Sequence, residues 1–127
     1  MKTIATNEAP QAIGPYSQAI LVDGMLYTSG QIALTPSGEM CEDDIEIQTH
    51  QVLKNLTAVL KASGGSLNDV IKCTIYLANM DDFATVNEIY AEYFGNHKPA
   101  RSTVAVKTLP KNAKIEIDII AKPSNPV

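Results

Sequence analysis

VIKCTIYLANMDDFATVNEIYAEYFGN, residues Val70 to Asn96, carries two hydrophobic rhythms in succession. From Val70 to Leu77 the residues alternate, with Ile71, Cys73, Ile75 and Leu77 on one side and Lys72, Thr74 and Tyr76 on the other, the period of a half-buried strand. Asp81 and Asp82 then suit a helix start, and Phe83, Val86, Tyr90 and Phe94 recur every three or four positions until Gly95-Asn96 supplies a stop. A strand followed by an amphipathic helix points to layers of both elements around one core.

Toward the N-terminus the same two periods return. Ile45, Val52, Leu56, Val59 and Leu60 share one face of a helix that Asp43, Asp44 and Glu46 open, where the dipole favours acids, and that Gly64-Gly65 ends. Before it, Tyr16 to Val22 and Met25 to Ser29 are β-prone runs split by Asp23-Gly24, a pair that accepts the positive φ of a tight hairpin. Toward the C-terminus, Arg101 to Lys107 and Lys114 to Lys122 read as two further strands joined by residues 108–113. The order ββαβαββ predicts an α+β fold, a mixed β-sheet with two helices packed on one face, in a single domain over residues 1–127. In the last two strands Ile115, Ile117 and Ile119 alternate with Glu116 and Asp118, while Ser102, Val104 and Val106 alternate with Arg101, Thr103 and Ala105. If these strands pair directly and the valines join the isoleucines, Arg101 and Glu116 face each other on the polar side. Pattern alone makes that a cross-strand ion pair worth ~0.2–1 kcal/mol.

Composition narrows the classes of function. At 127 residues, 45% apolar and 19% charged, the chain is of ordinary globular composition and long enough to bury a core without disulfide staples. Cys41 and Cys73 show no CxxC spacing, and Cys73 reads as a buried thiol. MKTIATNEAP has polar residues where a secretion signal would be apolar, and no apolar run approaches the ~18 residues of a membrane span, so the expectation is a soluble, cytoplasmic protein. A net charge of −4 with no lysine or arginine cluster argues against a nucleic-acid partner. His50 and His97 have no carboxylate or cysteine at ligand spacing, so no metal is expected, and the glycines fit no phosphate-binding loop, so no cofactor is implied.

Four segments together, IGPYSQAI, TSGQIAL, PARSTVAV and LPKNAKIEI, give the chain its resemblance to the Rid (reactive intermediate deaminase) family, also called YjgF. The resemblance covers essentially the whole chain. It implies an enamine or imine deaminase, hydrolysing reactive 2-imino acids to 2-oxo acids and ammonia. It also implies a chorismate-mutase-like homotrimer whose pockets lie between neighbouring subunits. Arg101 matches the family's substrate arginine, whose planar fork suits a carboxylate. Glu116 matches the glutamate that holds and polarises the attacking water, and Tyr16, Ser29, Gly30 and Asn87 match pocket-lining positions. Thr103 departs from the pattern, standing where many deaminating members have cysteine. Thiol catalysis is thereby excluded at that position, while the backbone carbonyl, which the resemblance makes the water-positioning group, is retained.

Two rival readings use the same residues. A non-catalytic binder or sensor of small 2-oxo acids or carboxylates would need Arg101 equally. A ribonuclease or translation inhibitor, an activity ascribed to some family members, is opposed by the acidic charge and the absence of a basic, aromatic-rich strip.

Overall fold

A computed structural model describes residues 1–127. Six strands, β1 (Lys2–Ile4), β2 (Ala19–Val22), β3 (Met25–Thr28), β4 (Val70–Leu77), β5 (Ala100–Ala105) and β6 (Ile115–Ala121), form one mixed sheet in the order β1-β2-β3-β6-β4-β5. The two long helices are α1 (Ile45–Ser63) and α2 (Phe83–Phe94). Both pack on the same face of the sheet, as expected. Their apolar stripes, Val52, Leu56, Val59 and Leu60 from α1 and Val86, Ile89, Tyr90 and Phe94 from α2, are buried against the row Cys73, Ile75, Leu77, Ile115, Ile117 and Ile119. Each such large side chain removed from water contributes roughly 1.5–3 kcal/mol.

Local chemistry explains where the elements begin and end. The β2–β3 hairpin turns on Asp23 and Gly24 at φ 51° and 78°, the paired positive values that a tight two-residue turn demands. The Asp44 carboxylate caps α1 by accepting from the Ile47 N–H at 3.0 Å, and Gly64 ends that helix at φ 91°. Buried amides tie the helix to its neighbours. Gln48 accepts from the Lys114 N–H at the start of β6, and Asn55 donates to the Leu34 carbonyl, both at 2.9 Å.

Three sequence expectations are corrected. A first strand, β1, pairs antiparallel with β2 at the sheet edge, so the order gains a leading strand. In β4 a register shift between Val70 and Lys72 turns Ile71 outward, 45% exposed, and Val70 takes its place in the buried row. The third correction matters most: β5 and β6 run in opposite directions but are not neighbours. β4 lies between them, parallel to β5 and antiparallel to β6. The cause is the β4–α2–β5 unit, because a helix between two strands carries the chain back across the sheet and favours parallel neighbours.

That insertion changes which side chains share a face. Arg101 and Thr103 are the register partners of Cys73 and Ile75, so they point to the helix-covered side. Glu116 is the partner of Tyr76 and points to the open side. Arg101 and Glu116 therefore lie on opposite faces of the sheet, contrary to the direct pairing expected from alternation. Val104 stays 43% exposed on the open face instead of joining the isoleucines.

Candidate active site

The open face carries the first cleft, about 680 Å³ in volume, with Tyr16, Ser29, Gly30, Lys111 and Glu116 among its walls. Its floor is held by backbone pairing: Gln31 and Ile117 exchange two hydrogen bonds of 2.9 and 3.1 Å, which brings the chain at Gly30 against β6. A side chain on Gly30 would displace the Glu116 carboxylate from its place in the cleft. A β-carbon on it would lie 2.7 Å from the carboxyl carbon of Glu116. Ser29 donates its hydroxyl to the Ser17 carbonyl at 2.5 Å, so it serves the wall of the cleft and joins residues 17 and 29. The stretch that leads into the far wall, where Pro10 to Ile13 line the cleft, is fastened by one buried amide. Gln18 accepts from the Thr6 N–H at 2.7 Å and donates to the carbonyls of Thr6 at 3.1 Å and Pro10 at 2.7 Å.

Glu116 is half-buried in this cleft and accepts no hydrogen bond from the chain. Burial, and secondly the Asp118 carboxylate two residues along, hold its carboxyl above the ordinary carboxylate range. Asp118 itself accepts a hydrogen bond from the Tyr76 hydroxyl at 3.1 Å, whereas Glu116 is left free to take up a proton. Lys111 reaches the cleft rim from a left-handed backbone, φ 54°, followed by Asn112 at φ 57°, a conformation that costs a lysine about 1–3 kcal/mol.

A second cleft, about 430 Å³, opens between α2 and β5 and is walled by Asn87, Tyr90, Phe94, His97, Lys98 and Arg101. Arg101 is half-buried, and its Nη1 donates to the Asn87 Oδ1 at 2.7 Å. Its guanidinium lies over the ring of Tyr90, 4.8 Å from the centroid, and near that of Phe83 at 5.5 Å. No carboxylate comes within 4 Å of it: the chain's only ion pair is Lys114–Asp43 at 3.6 Å, on the surface. The cleft thus presents an ordered cation with no anion. Behind it, burial pushes the Cys73 thiol up to about 11, which leaves it protonated and unreactive at neutral pH.

The seven residues singled out from sequence fall into two groups. Tyr16, Ser29, Gly30 and Glu116 come together in the first cleft, and Asn87 and Arg101 in the second. Thr103 lines neither; it follows Arg101 on the helix-covered side, and its hydroxyl is buried without a hydrogen-bond partner. Sequence reading missed Phe83 and Tyr90 as neighbours of Arg101 because both were assigned to the core stripe of the helix. Their spacing around Asn87 was the available signal. No group of three or more His, Cys, Asp or Glu side chains gathers to hold a metal. His50 is hydrogen-bonded to the Tyr93 hydroxyl at 2.9 Å, and His97 donates Nε2–H to the Val70 carbonyl at 2.7 Å. No helix is long and apolar enough to cross a membrane.

The arrangement leaves a cation without an acidic partner on one face and a carboxylate without a hydrogen-bond donor on the other. Known proteins share the fold that produces it. Residues 6–122 match the family model described as Endoribonuclease L-PSP. A RutC family protein of Pyrococcus horikoshii is 55% identical over 121 residues, covering 94% of this chain and 96% of the relative. A 2-iminobutanoate/2-iminopropanoate deaminase of Mus musculus is 49% identical over 121 residues, covering 94% of this chain and 90% of the relative. The crystal structure of E. coli TdcF with bound serine superposes with a TM-score of 0.92 at 43% identity, covering 98% of this chain and 100% of that one.

Proposed function

This chain belongs to the endoribonuclease L-PSP family, which is the Rid or YjgF family, and on that premise we propose that it is an imine deaminase. Its substrates are small 2-imino acids such as 2-iminopropanoate, together with enamines such as 2-aminoacrylate that tautomerise to them, and its products are 2-oxo acids and ammonia. The observation that carries this reading is Arg101, a half-buried cation held by Asn87 and two aromatic rings with no acidic partner in the chain. A guanidinium so placed is a receptor for a ligand carboxylate. The serine bound in the TdcF structure is itself an amino acid and fits that class of ligand.

Hydrolysis then needs a base beside the imine carbon. Glu116 takes a proton from water as the water oxygen bonds to that carbon and passes it to the nitrogen, giving the carbinolamine. It then takes the hydroxyl proton and delivers it to the nitrogen as the C–N bond breaks, so that ammonia leaves while the C=O forms. A carboxyl held above its ordinary range is better matched to this exchange near neutral pH than an exposed one. Imines hydrolyse in water unaided, so positioning and proton transfer worth roughly 10²–10⁴-fold are sufficient. Tyr16, Ser29 and Gly30 shape the space around the reacting carbon, and the backbone at Thr103 helps to position the water. No cofactor takes part.

One copy cannot bring Arg101 and Glu116 to the same imine, because they project from opposite faces of the sheet. The reading therefore includes a homotrimer in which the Glu116 cleft of one copy meets the Arg101 cleft of the next. The open face suits such burial, since Tyr27 (45% exposed), Val104 (43%) and Ile120 lie on it with no helix above them. The protein is cytoplasmic, with neither membrane nor nucleic acid as partner. A chain of net charge −4 with these two clefts has no basic track for an RNA backbone.

The deciding experiment generates an imine in the cuvette from an amino acid and asks whether added protein accelerates ammonia release. Binding of 2-oxo acids with no acceleration would make the protein a sensor or carrier instead. Mixing Arg101→Lys and Glu116→Gln subunits after partial denaturation tests the shared site: random reassembly of a trimer restores about a quarter of the pockets. Light scattering that reports a monomer, or a mixture no more active than its parts, would remove the composite pocket.

A further inference from the structure

Phe83, Asn87 and Tyr90 stand at positions i, i+4 and i+7 of α2, one above another along a single face. At about 1.5 Å per residue the α-carbons of Phe83 and Tyr90 are roughly 10 Å apart along the helix axis. The guanidinium carbon of Arg101 lies 5.5 Å from the Phe83 ring centroid and 4.8 Å from that of Tyr90, so it stands beside both rings. Both distances fall inside the reach of about 6 Å at which a ring face attracts a cation. Asn87, halfway along, holds Nη1 at 2.7 Å. No other hydrogen bond engages the guanidinium, which leaves its Nε–Nη2 edge open.

We propose that Phe83 and Tyr90 are positioning residues that clamp the Arg101 guanidinium against their rings and aim its open edge at the substrate carboxylate. The inference rests on the reading of Arg101 as the carboxylate receptor and adds the means by which that receptor is prepared. An arginine side chain has many rotamers, and ordering it at the moment of binding would weaken affinity. Three contacts from one rigid helix face do that ordering in advance. The clamp acts only through charge and direction, so it has a signature that simple packing lacks: it favours an anionic ligand over a neutral one of the same shape.

The experiment measures affinity for 2-oxobutanoate and for its neutral amide, 2-oxobutanamide, in Phe83→Leu, Tyr90→Leu and Tyr90→Phe, with melting temperature alongside. Each leucine variant is expected to weaken the carboxylate roughly 2- to 30-fold, the worth of one cation–π contact, and to leave the amide unchanged. Tyr90→Phe, which restores a ring, recovers most of the loss. Phe83 is only partly buried, so Phe83→Leu reports even if Tyr90→Leu unfolds. In an Arg101→Met background the leucine substitutions are expected to have no further effect on carboxylate affinity. Equal losses for carboxylate and amide, or leucine effects that persist without Arg101, would overturn the clamp. If Arg101→Met alone leaves carboxylate affinity intact, the receptor assignment itself falls, a result distinguishable from failure of the clamp.

Discussion

The two clefts treat their charged residues in opposite ways. Around Arg101 the chain supplies a hydrogen-bond acceptor and two aromatic faces, which hold the cation in one place. Around Glu116 it supplies room and no donor: a glycine where a methyl would collide, and a second carboxylate nearby. An anchor benefits from being fixed, whereas a base must change its bonding twice in each turnover. On the proposed reading holding and reacting are separate tasks, and the two residues that would carry them lie on opposite faces of one sheet.

The contrast can be broken first at Glu116. Glu116→Gln keeps the shape and one acceptor oxygen but cannot take up a proton, so imine hydrolysis is expected to fall roughly 10²–10⁴-fold while 2-oxo acid affinity stays near wild type. Calorimetry beside turnover checks this, and undiminished turnover would return Glu116 to the role of a bystander. Arg101→Lys should show the reverse pattern. An ammonium cannot hold Asn87 and two carboxylate oxygens in one plane, so affinity for 2-oxo acids should drop roughly ten- to hundredfold, the worth of a charge-assisted hydrogen bond, with folding intact. Wild-type binding by the lysine variant would end the receptor reading.

Two smaller effects sharpen the comparison. Because the Glu116 carboxyl is held above its ordinary range, the acid limb of kcat/KM should lie above that range too. The groups facing it are Asp118 on its own strand, Tyr76 on β4, Lys111 at the rim and Ser29 on the opposite wall. Asp118→Asn removes the second cause of the shift and leaves burial, the larger one, so the limb should move toward lower pH without disappearing. The same linkage gives a stability sign. A carboxyl whose folded pKa exceeds its unfolded value contributes stability that is complete below the unfolded pKa and is lost as pH rises through the folded one. Glu116→Gln should therefore make the protein more resistant to denaturant at neutral pH but not in acid. On the other side of the sheet, Thr103→Val removes a buried hydroxyl that has no partner and should stabilise the chain by about 1 kcal/mol in denaturant titration. A loss instead would mean that another copy satisfies that hydroxyl.

Much of the fold could be read from periodicity. The alternation from Cys73 to Leu77, the stripes of both helices and the Asp23-Gly24 turn all stand where expected, since each is decided by residues close in sequence. β1 escaped because three residues are too few to show a period. The pairing of β5 with β6 failed for a different reason. Alternation places Val104 in the core because valine is apolar, yet β5 is an edge strand, with α2 on the Arg101 side and nothing over Val104. Alternation tells which residues share a face, but not which face is covered within one chain. The strand–helix–strand run from Val70 to Ala105 did contain the correct neighbour, because such units close as parallel pairs. Of the candidate site, the residue identities came from motif resemblance, while their division between two clefts depends on strand order and was invisible to it.

Gln18 has a consequence for the thermodynamics of ligand capture. Its one side-chain amide holds the stretch 6–10 in place, and Pro10, at the end of that stretch, lines the cleft that holds Glu116. Immobilising free backbone costs about 1–2 kcal/mol per residue in configurational entropy. Here that loss is incurred once, when the chain folds, and is not repeated with each molecule that enters. If a ligand enters this cleft as proposed, it meets masonry rather than a door at Pro10, and its heat of binding should carry no ordering of that stretch.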